Sequence, residues 1–203
     1  DKIWSTPQVA NNVVYIGSSD HKLYAIDTES GIGIWELETK GAITSIPLVY
    51  DDTVYIGSFD GKFYAVAAAT EEERLAAVTR EEGAPIPTRE AKSVFEEAGN
   101  WFWTQALAYN GKIYVGNLDH KLYVLDIQNI ANKLDEFETQ GAIRTPPVVV
   151  NGLLVIGSAD GNIYILNPED LNNEPKIVSL GAPILAPLCP DPEKGVVFAH
   201  AQD

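Results

Sequence analysis

The chain has 203 residues, 45% of them hydrophobic, and a formal net charge of −15 from 14 basic and 29 acidic side chains. That length suffices for one sizeable core, while the acidic balance, with no dense basic cluster, argues against nucleic acid, whose phosphates need concentrated Lys and Arg. No apolar run reaches the roughly 18 to 20 residues that cross a bilayer as a helix, so no membrane span is expected in this segment.

The first predicted element is a half-buried strand, in which Val13, Tyr15 and Gly17 alternate with Val14, Ile16 and Ser18. A tight turn at Asp20-His21 follows, and then a second strand through Leu23-Tyr24-Ala25. This unit returns along the chain. Tyr15-Ile16-Gly17-Ser18 is repeated as Tyr55-Ile56-Gly57-Ser58, Tyr114-Val115-Gly116-Asn117 and Val155-Ile156-Gly157-Ser158, at intervals of 40, 59 and 41 residues. A remnant of a fifth copy, from Val196 to Asp203, puts His200 where the next glycine belongs. A period of about 40 to 45 residues made of four short strands is that of a β-propeller blade. Asp20, Asp60, Asp119 and Asp160 are read as turn residues, and His21 and His120 as solvent-facing members of the same turns.

Ahead of each copy lies a predicted inner strand: Ile3-Trp4-Ser5-Thr6-Pro7, Ile43-Thr44-Ser45-Ile46-Pro47, Phe102-Trp103-Thr104-Gln105-Ala106, Ile143-Arg144-Thr145-Pro146-Pro147 and Pro183-Ile184-Leu185-Ala186-Pro187. Proline donates nothing to a ladder, so its return there marks an edge or strand start, as at the channel-facing strand of a propeller. Trp4, Thr44, Trp103, Arg144 and Ile184 align, and are expected to converge at one level of the channel, with Trp101 sharing the face of Trp103. Two readings stand: the rings fill space, or they form a ligand or peptide site, since Trp and Arg are enriched at binding hot spots.

Between Gly57 and Gly116 the repeat is interrupted by extra residues within 67–99. Thr70-Glu71-Glu72-Glu73 reads as a capping box opening a helix, with Leu75, Ala76 and Val78 as its apolar face. A second short helix is predicted from Thr88 to Ala98, with Ala91, Val94, Phe95 and Ala98 on one side. The insertion either decorates a blade edge or binds a partner.

The stretch Tyr-Ile-Gly-Ser-x-Asp-x-x-Leu-Tyr-Ala-Ile-Asp-x-x-Ser-Gly-x-x-x-Trp, from Tyr15 to Trp35, resembles the repeat of pyrroloquinoline-quinone-type propellers. That resemblance spans nearly the whole chain and implies an all-β fold. It describes a partial propeller of about four four-stranded antiparallel blades (about 3–40, 41–99, 100–140 and 141–180) plus half a blade (181–203), with a partly helical insertion in blade 2. Members of the superfamily usually have seven or eight blades. The chain therefore reads as an excised or processed piece of a longer protein, in keeping with its lack of methionine, or as an arc completed by another chain. Open edges of such an arc invite pairing with another chain. Only the first copy has the Gly-x-x-x-Trp tail whose tryptophan docks neighbouring blades in that superfamily, so looser or differently filled junctions are expected elsewhere.

The resemblance also raises a quinone cofactor, held in the dehydrogenases of the superfamily over a vicinal cysteine pair with a calcium ion in an oxygen cage. Cys189 is the single cysteine, read as a small buried hydrophobe, and Asp170-Leu171-Asn172-Asn173-Glu174 lacks the spacing of a calcium loop. Neither pyrroloquinoline quinone nor calcium is therefore expected. His200 has no His or Cys neighbour that would make a metal motif, no hydrolase, zinc-protease or nucleotide-binding motif occurs, and Glu81-Glu82 and Glu96-Glu97 read as solvated faces. The expectation is a non-catalytic periplasmic or extracellular scaffold for a protein or peptide partner. Two alternatives remain: a fragment of a quinone-dependent dehydrogenase whose cofactor residues lie elsewhere, and a receptor sensor domain.

Overall fold

The computed structural model describes residues 2–81 and 83–202, so Glu82 of the Glu81-Glu82 pair lies outside the described residues. Four antiparallel meanders follow one another, each strand bonded to its sequence neighbour. Blade 1 is β1 (Gln8–Ala10), β2 (Val13–Gly17), β3 (Lys22–Asp27) and β4 (Gly33–Glu38); blade 2 is β5 (Leu48–Tyr50), β6 (Thr53–Gly57), β7 (Phe63–Ala67) and β8 (Ser93–Phe95), with helix α1 (Glu71–Val78) between its last two strands. Blade 3 is β9 (Leu107–Tyr109), β10 (Lys112–Gly116), β11 (Lys121–Asp126) and β12 (Asn129–Glu138); blade 4 is β13 (Val148–Val150), β14 (Leu153–Gly157), β15 (Asn162–Leu166) and β16 (Lys176–Ser179). A fifth pair, β17 (Cys189–Asp191) and β18 (Val196–Phe198), completes the described chain. The architecture is the all-β partial propeller that the repeat implies.

The inner strands are shorter than expected. Residues 3–7 carry no strand; β1, β5 and β13 begin immediately after Pro7, Pro47 and Pro147, where a missing N–H costs no ladder bond. The residues before Pro47, Pro147 and Pro187 instead cross the preceding blade. Ile43 N donates to Ser18 O at 3.0 Å, Ile143 N to Asn117 O at 3.1 Å and Ile184 N to Ser158 O at 3.1 Å. Each crossing residue then packs on the repeat's glycine. A methyl on Gly17, Gly116 or Gly157 would stand 2.2, 2.4 and 2.7 Å from a side-chain carbon of Ile43, Ile143 and Ile184. Glycine recurs because the next blade occupies the space a side chain needs.

The turn aspartates also join blades. Asp60 accepts from Lys62 N at 3.0 Å, as a turn residue should, and from the Tyr64 hydroxyl at 2.6 Å. The Oδ2 that takes the tyrosine also accepts from Lys40 N, in the link from blade 1, at 2.9 Å. Asp160 repeats the arrangement with Gln140 N at 2.9 Å, and Asp119 with Gly99 N at 2.7 Å. In blade 1, burial reinforced by the bond to Asp20 pushes the Tyr24 phenol up to about 12. A second set of bridges uses the tyrosines of the glycine-bearing strands. Tyr15 Oη accepts from Ala69 N at 2.8 Å, while Tyr55 and Tyr114 donate to Ile127 O and Pro168 O at 2.9 and 3.0 Å.

The helix begins where the capping box places it. Thr70 Oγ1 accepts from Glu73 N at 3.2 Å, and Glu73 Oε2 accepts from Thr70 N at 2.9 Å. Its buried face is not the expected one: Leu75 and Val78 are exposed, and Arg74 and Ala77 are buried. The reason is electrostatic. Asp27, itself 1% exposed, accepts from Ser30 Oγ at 2.6 Å and Arg74 Nη1 at 2.7 Å, and these bonds hold its carboxyl far below the usual carboxylate range.

The second predicted helix does not form. Pro87, Thr88 and Arg89 instead run beside β4, with Glu36 N donating to Pro87 O at 2.9 Å and Arg89 N to Glu36 O at 2.7 Å, and Ser93–Phe95 becomes the outer strand of blade 2. Prolines at 85 and 87 favour extended backbone, and the open edge of β7 recruits Val94 and Phe95 against their helix-compatible spacing. Thus the insertion leaves blade 2, touches the edge of blade 1 through one parallel bridge between Glu36 and Thr88, and returns. Arg89 fastens it, lying 4.9 Å over the buried Trp35 ring, bonded to Ala67 O and Ala68 O at 3.0 and 3.1 Å and paired with Glu73.

The later junctions are filled differently, by phenylalanine and tyrosine. Phe95 meets Tyr123 at 5.0 Å and Phe102 meets Phe63 at 5.4 Å between blades 2 and 3, and Phe137 meets Tyr164 edge-on at 5.4 Å between blades 3 and 4. Cys189 departs from expectation. It is exposed, because β17 has only β18 beside it in the described fifth sheet.

Candidate functional site

Successive crossings deliver one residue each to the same place. The residue after each glycine plug is Thr44, Trp103 and Arg144, and these three, with Trp4, line one open cavity of about 200 Å³ together with Thr6, Ile46, Thr104, Pro146, Leu185 and Pro187. Ile184 is absent from that wall. It is the fully buried plug on Gly157, and Leu185 takes the aligned position. Aligning Pro187 with Pro7, Pro47 and Pro147 shifts this crossing by one residue; with Ile184 set against Gly157, Pro187 falls with Pro146.

The aromatic residues form a stack. Phe59 lies between Trp101, with ring centroids 4.5 Å apart and planes 12° from parallel, and Trp103, at 5.4 Å and 24°. The Arg144 guanidinium sits 5.8 Å from the Trp103 ring centroid. Trp101 thus shares the surface of Trp103 through Phe59, although it does not line the cavity. Phe59 was not singled out from sequence. Its signal was there, since the aligned turn residues are Ser19, Leu118 and Ala159.

The rings stay accessible, at 65% for Trp4, 46% for Trp101 and 38% for Trp103. Burying such rings supplies most of the energy at recognition surfaces. Arg144 is exposed and is the one charged residue among those lining the cavity. The Thr44 hydroxyl, shielded from solvent, has no hydrogen-bond partner among the described residues. Chemically the site offers apolar rings and a planar cation, which suit binding. Among the described residues no three His, Cys, Asp or Glu side chains are grouped to hold a metal ion, and no helix is long and apolar enough to cross a membrane.

Residues 2–129 match the profile described as outer membrane protein assembly factor BamB. The chain belongs to this family. Its fold is also that of the crystal structure of BamB from Moraxella catarrhalis, at 17% identity and a TM-score of 0.68 over 99% of this chain. Only 56% of that BamB chain is covered, so the chain spans little more than half its length. Two computationally designed proteins are similar as well: Ika8, with 16% identity, a TM-score of 0.72 and coverage of 100% of this chain and 56% of the design, and Ika4, with 16% identity, a TM-score of 0.63 and coverage of 89% and 92%. At these identities the likeness concerns the fold. No curated protein matches the sequence.

Proposed function

We propose that the chain is part of a non-catalytic propeller scaffold, working in the periplasm or outside the cell, that holds a protein or peptide partner at its hub. The observation that carries this reading is the stack Trp101, Phe59, Trp103 and Arg144 beside the open cavity that Trp4 and Thr44 help to line. Membership of the BamB family supports the scaffold role and the extracytoplasmic setting.

Recognition would work by presentation. The blades are bolted by glycine plugs, aspartate braces and the insertion, so the hub residues lose little freedom on binding, and a rigid paratope binds more tightly for the same contacts. A partner's apolar side chain buries against Trp4 and Trp103, and a carboxylate or backbone carbonyl meets Arg144. The reading includes no quinone cofactor: Cys189 is the single cysteine of the sequence, so this segment carries no vicinal pair.

The test is selection of binding peptides from a displayed library against the intact protein, followed by competition between wild type and Trp103→Ala. Peptides whose capture depends on Trp103 support the hub. A selection that yields only binders indifferent to both Trp103→Ala and Arg144→Ala removes it.

A further inference from the structure

Each junction between blades has a rim that the connection between the third and fourth strands of the following blade can cover. In blade 2 that connection is 25 residues, in blade 4 it is nine, and in blade 3 it is two, Ile127 and Gln128. The long connections fill their junctions: Ala69 reaches Tyr15, and Pro168 reaches Tyr114. The short one only bridges to Tyr55, through Ile127 O. What remains between blades 2 and 3 is a cavity of about 390 Å³, larger than the hub cavity, with both walls built from four-stranded blades.

Its lining is polar. Tyr50, Asp51, Asp52, Lys92, Gln128 and Asn129 stand around the opening. The Lys92 ammonium is already held by Asp52 O at 3.4 Å and Thr53 Oγ1 at 3.2 Å, and Asn129 Oδ1 is taken by Ser93 Oγ at 2.6 Å. The Asp51 and Asp52 carboxylates and the Gln128 side chain make no hydrogen bond to other described residues, and the Tyr50 ring is 42% exposed. Two free carboxylates repel an anion, and so polar a wall rejects an apolar ligand. Carboxylate and carboxamide groups set beside a phenol ring match a ligand that offers adjacent hydroxyls along one edge and a C–H face for the ring. The volume falls at the small end of ligand sites, which start near about 300 Å³.

We propose that this junction is a binding site for a neutral sugar unit. Carboxylates of Asp51 and Asp52 accept from adjacent ring hydroxyls, Gln128 donates and accepts beside them, and Tyr50 packs on the sugar's C–H face. The site is independent of the hub and does not rest on the reading above.

Saturation-transfer NMR on the intact protein with glucose, galactose, mannose and N-acetylglucosamine, and with spermidine as a cationic comparison, tests it. Transfer to at least one sugar is expected, weakened at least tenfold in apparent affinity by Tyr50→Ala and by Gln128→Ala, and retained in Leu75→Ala, on the exposed face of α1. Circular dichroism confirms that each variant is folded. Transfer to none of the four sugars, transfer insensitive to both site variants, or transfer to spermidine alone would overturn the proposal.

Discussion

Gly57 and Phe102 touch so closely that a methyl on Gly57 would stand 2.2 Å from the Phe102 Cβ. Phe102 is fully buried and meets Phe63, Phe95 and Tyr123, so it has no room to yield. Gly57→Ala is therefore expected to destabilise the protein by about 1–3 kcal/mol through overpacking. Gly31→Ala, at a position with φ of +71° and nothing within 4 Å, tests backbone strain without crowding. Denaturant unfolding of both variants checks the contrast, and a Gly57→Ala protein as stable as wild type would contradict the plug.

The insertion strap depends on Arg89. Replacing it with alanine strips Trp35 of its cation and removes the Arg89 bonds to Ala67 O, Ala68 O and Glu73 Oε1. A loss of about 2 kcal/mol is expected, the scale of hydrogen bonds to a charged group, and Arg89→Lys restores little of it because a compact ammonium lacks the planar fork that bonds the two carbonyls and Glu73 while lying over Trp35. The local readout is the Glu36 amide, bonded to Pro87 O. Its hydrogen exchange should accelerate more than that of the amides in β2, and equal acceleration across blade 1 would show that the strap is not a separate brace.

Asp27 makes acid stability a test of the same strap. Its folded carboxyl is held far below the ordinary value by Ser30 and Arg74, while in the unfolded chain it titrates near about 4. The unfolded state therefore binds the extra proton as acid is added, and the stability that Asp27 contributes is complete above about pH 4 and shrinks as the pH falls toward the depressed folded value. Asp27→Asn should be less stable than wild type at pH 7, with the difference narrowing in acid below pH 4. A difference constant from pH 7 down to pH 2 would contradict the pairing.

Blades were legible in the sequence because each carries a local, periodic signal: alternating strands, a turn aspartate and a glycine at fixed spacing. The start of α1 was legible for the same reason, its cap being contained in Thr70 and Glu73. What escaped was settled by distant partners. Val94 and Phe95 fit a helix face by spacing and became strand because β7 had an open edge. Leu75 and Val78, expected to form the apolar face of α1, stay exposed because Arg74 is drawn inward by Asp27, 47 positions earlier. At the hub, Trp4, Thr44, Trp103 and Arg144 were legible from alignment, whereas Ile184 and Leu185 exchanged roles because the glycine plug was not recognised as the residue that sets the register.

The affinity of a hub-selected peptide for wild type and for Trp103→Ala, measured by calorimetry on folded protein, tests the scaffold reading most directly. Loss of a central tryptophan anchor is expected to cost about 2 kcal/mol or more, roughly a thirtyfold rise in Kd, with Gln128→Ala in the blade 2–3 cavity leaving Kd unchanged. An unchanged Kd in Trp103→Ala, with the fold intact, would contradict recognition at the hub.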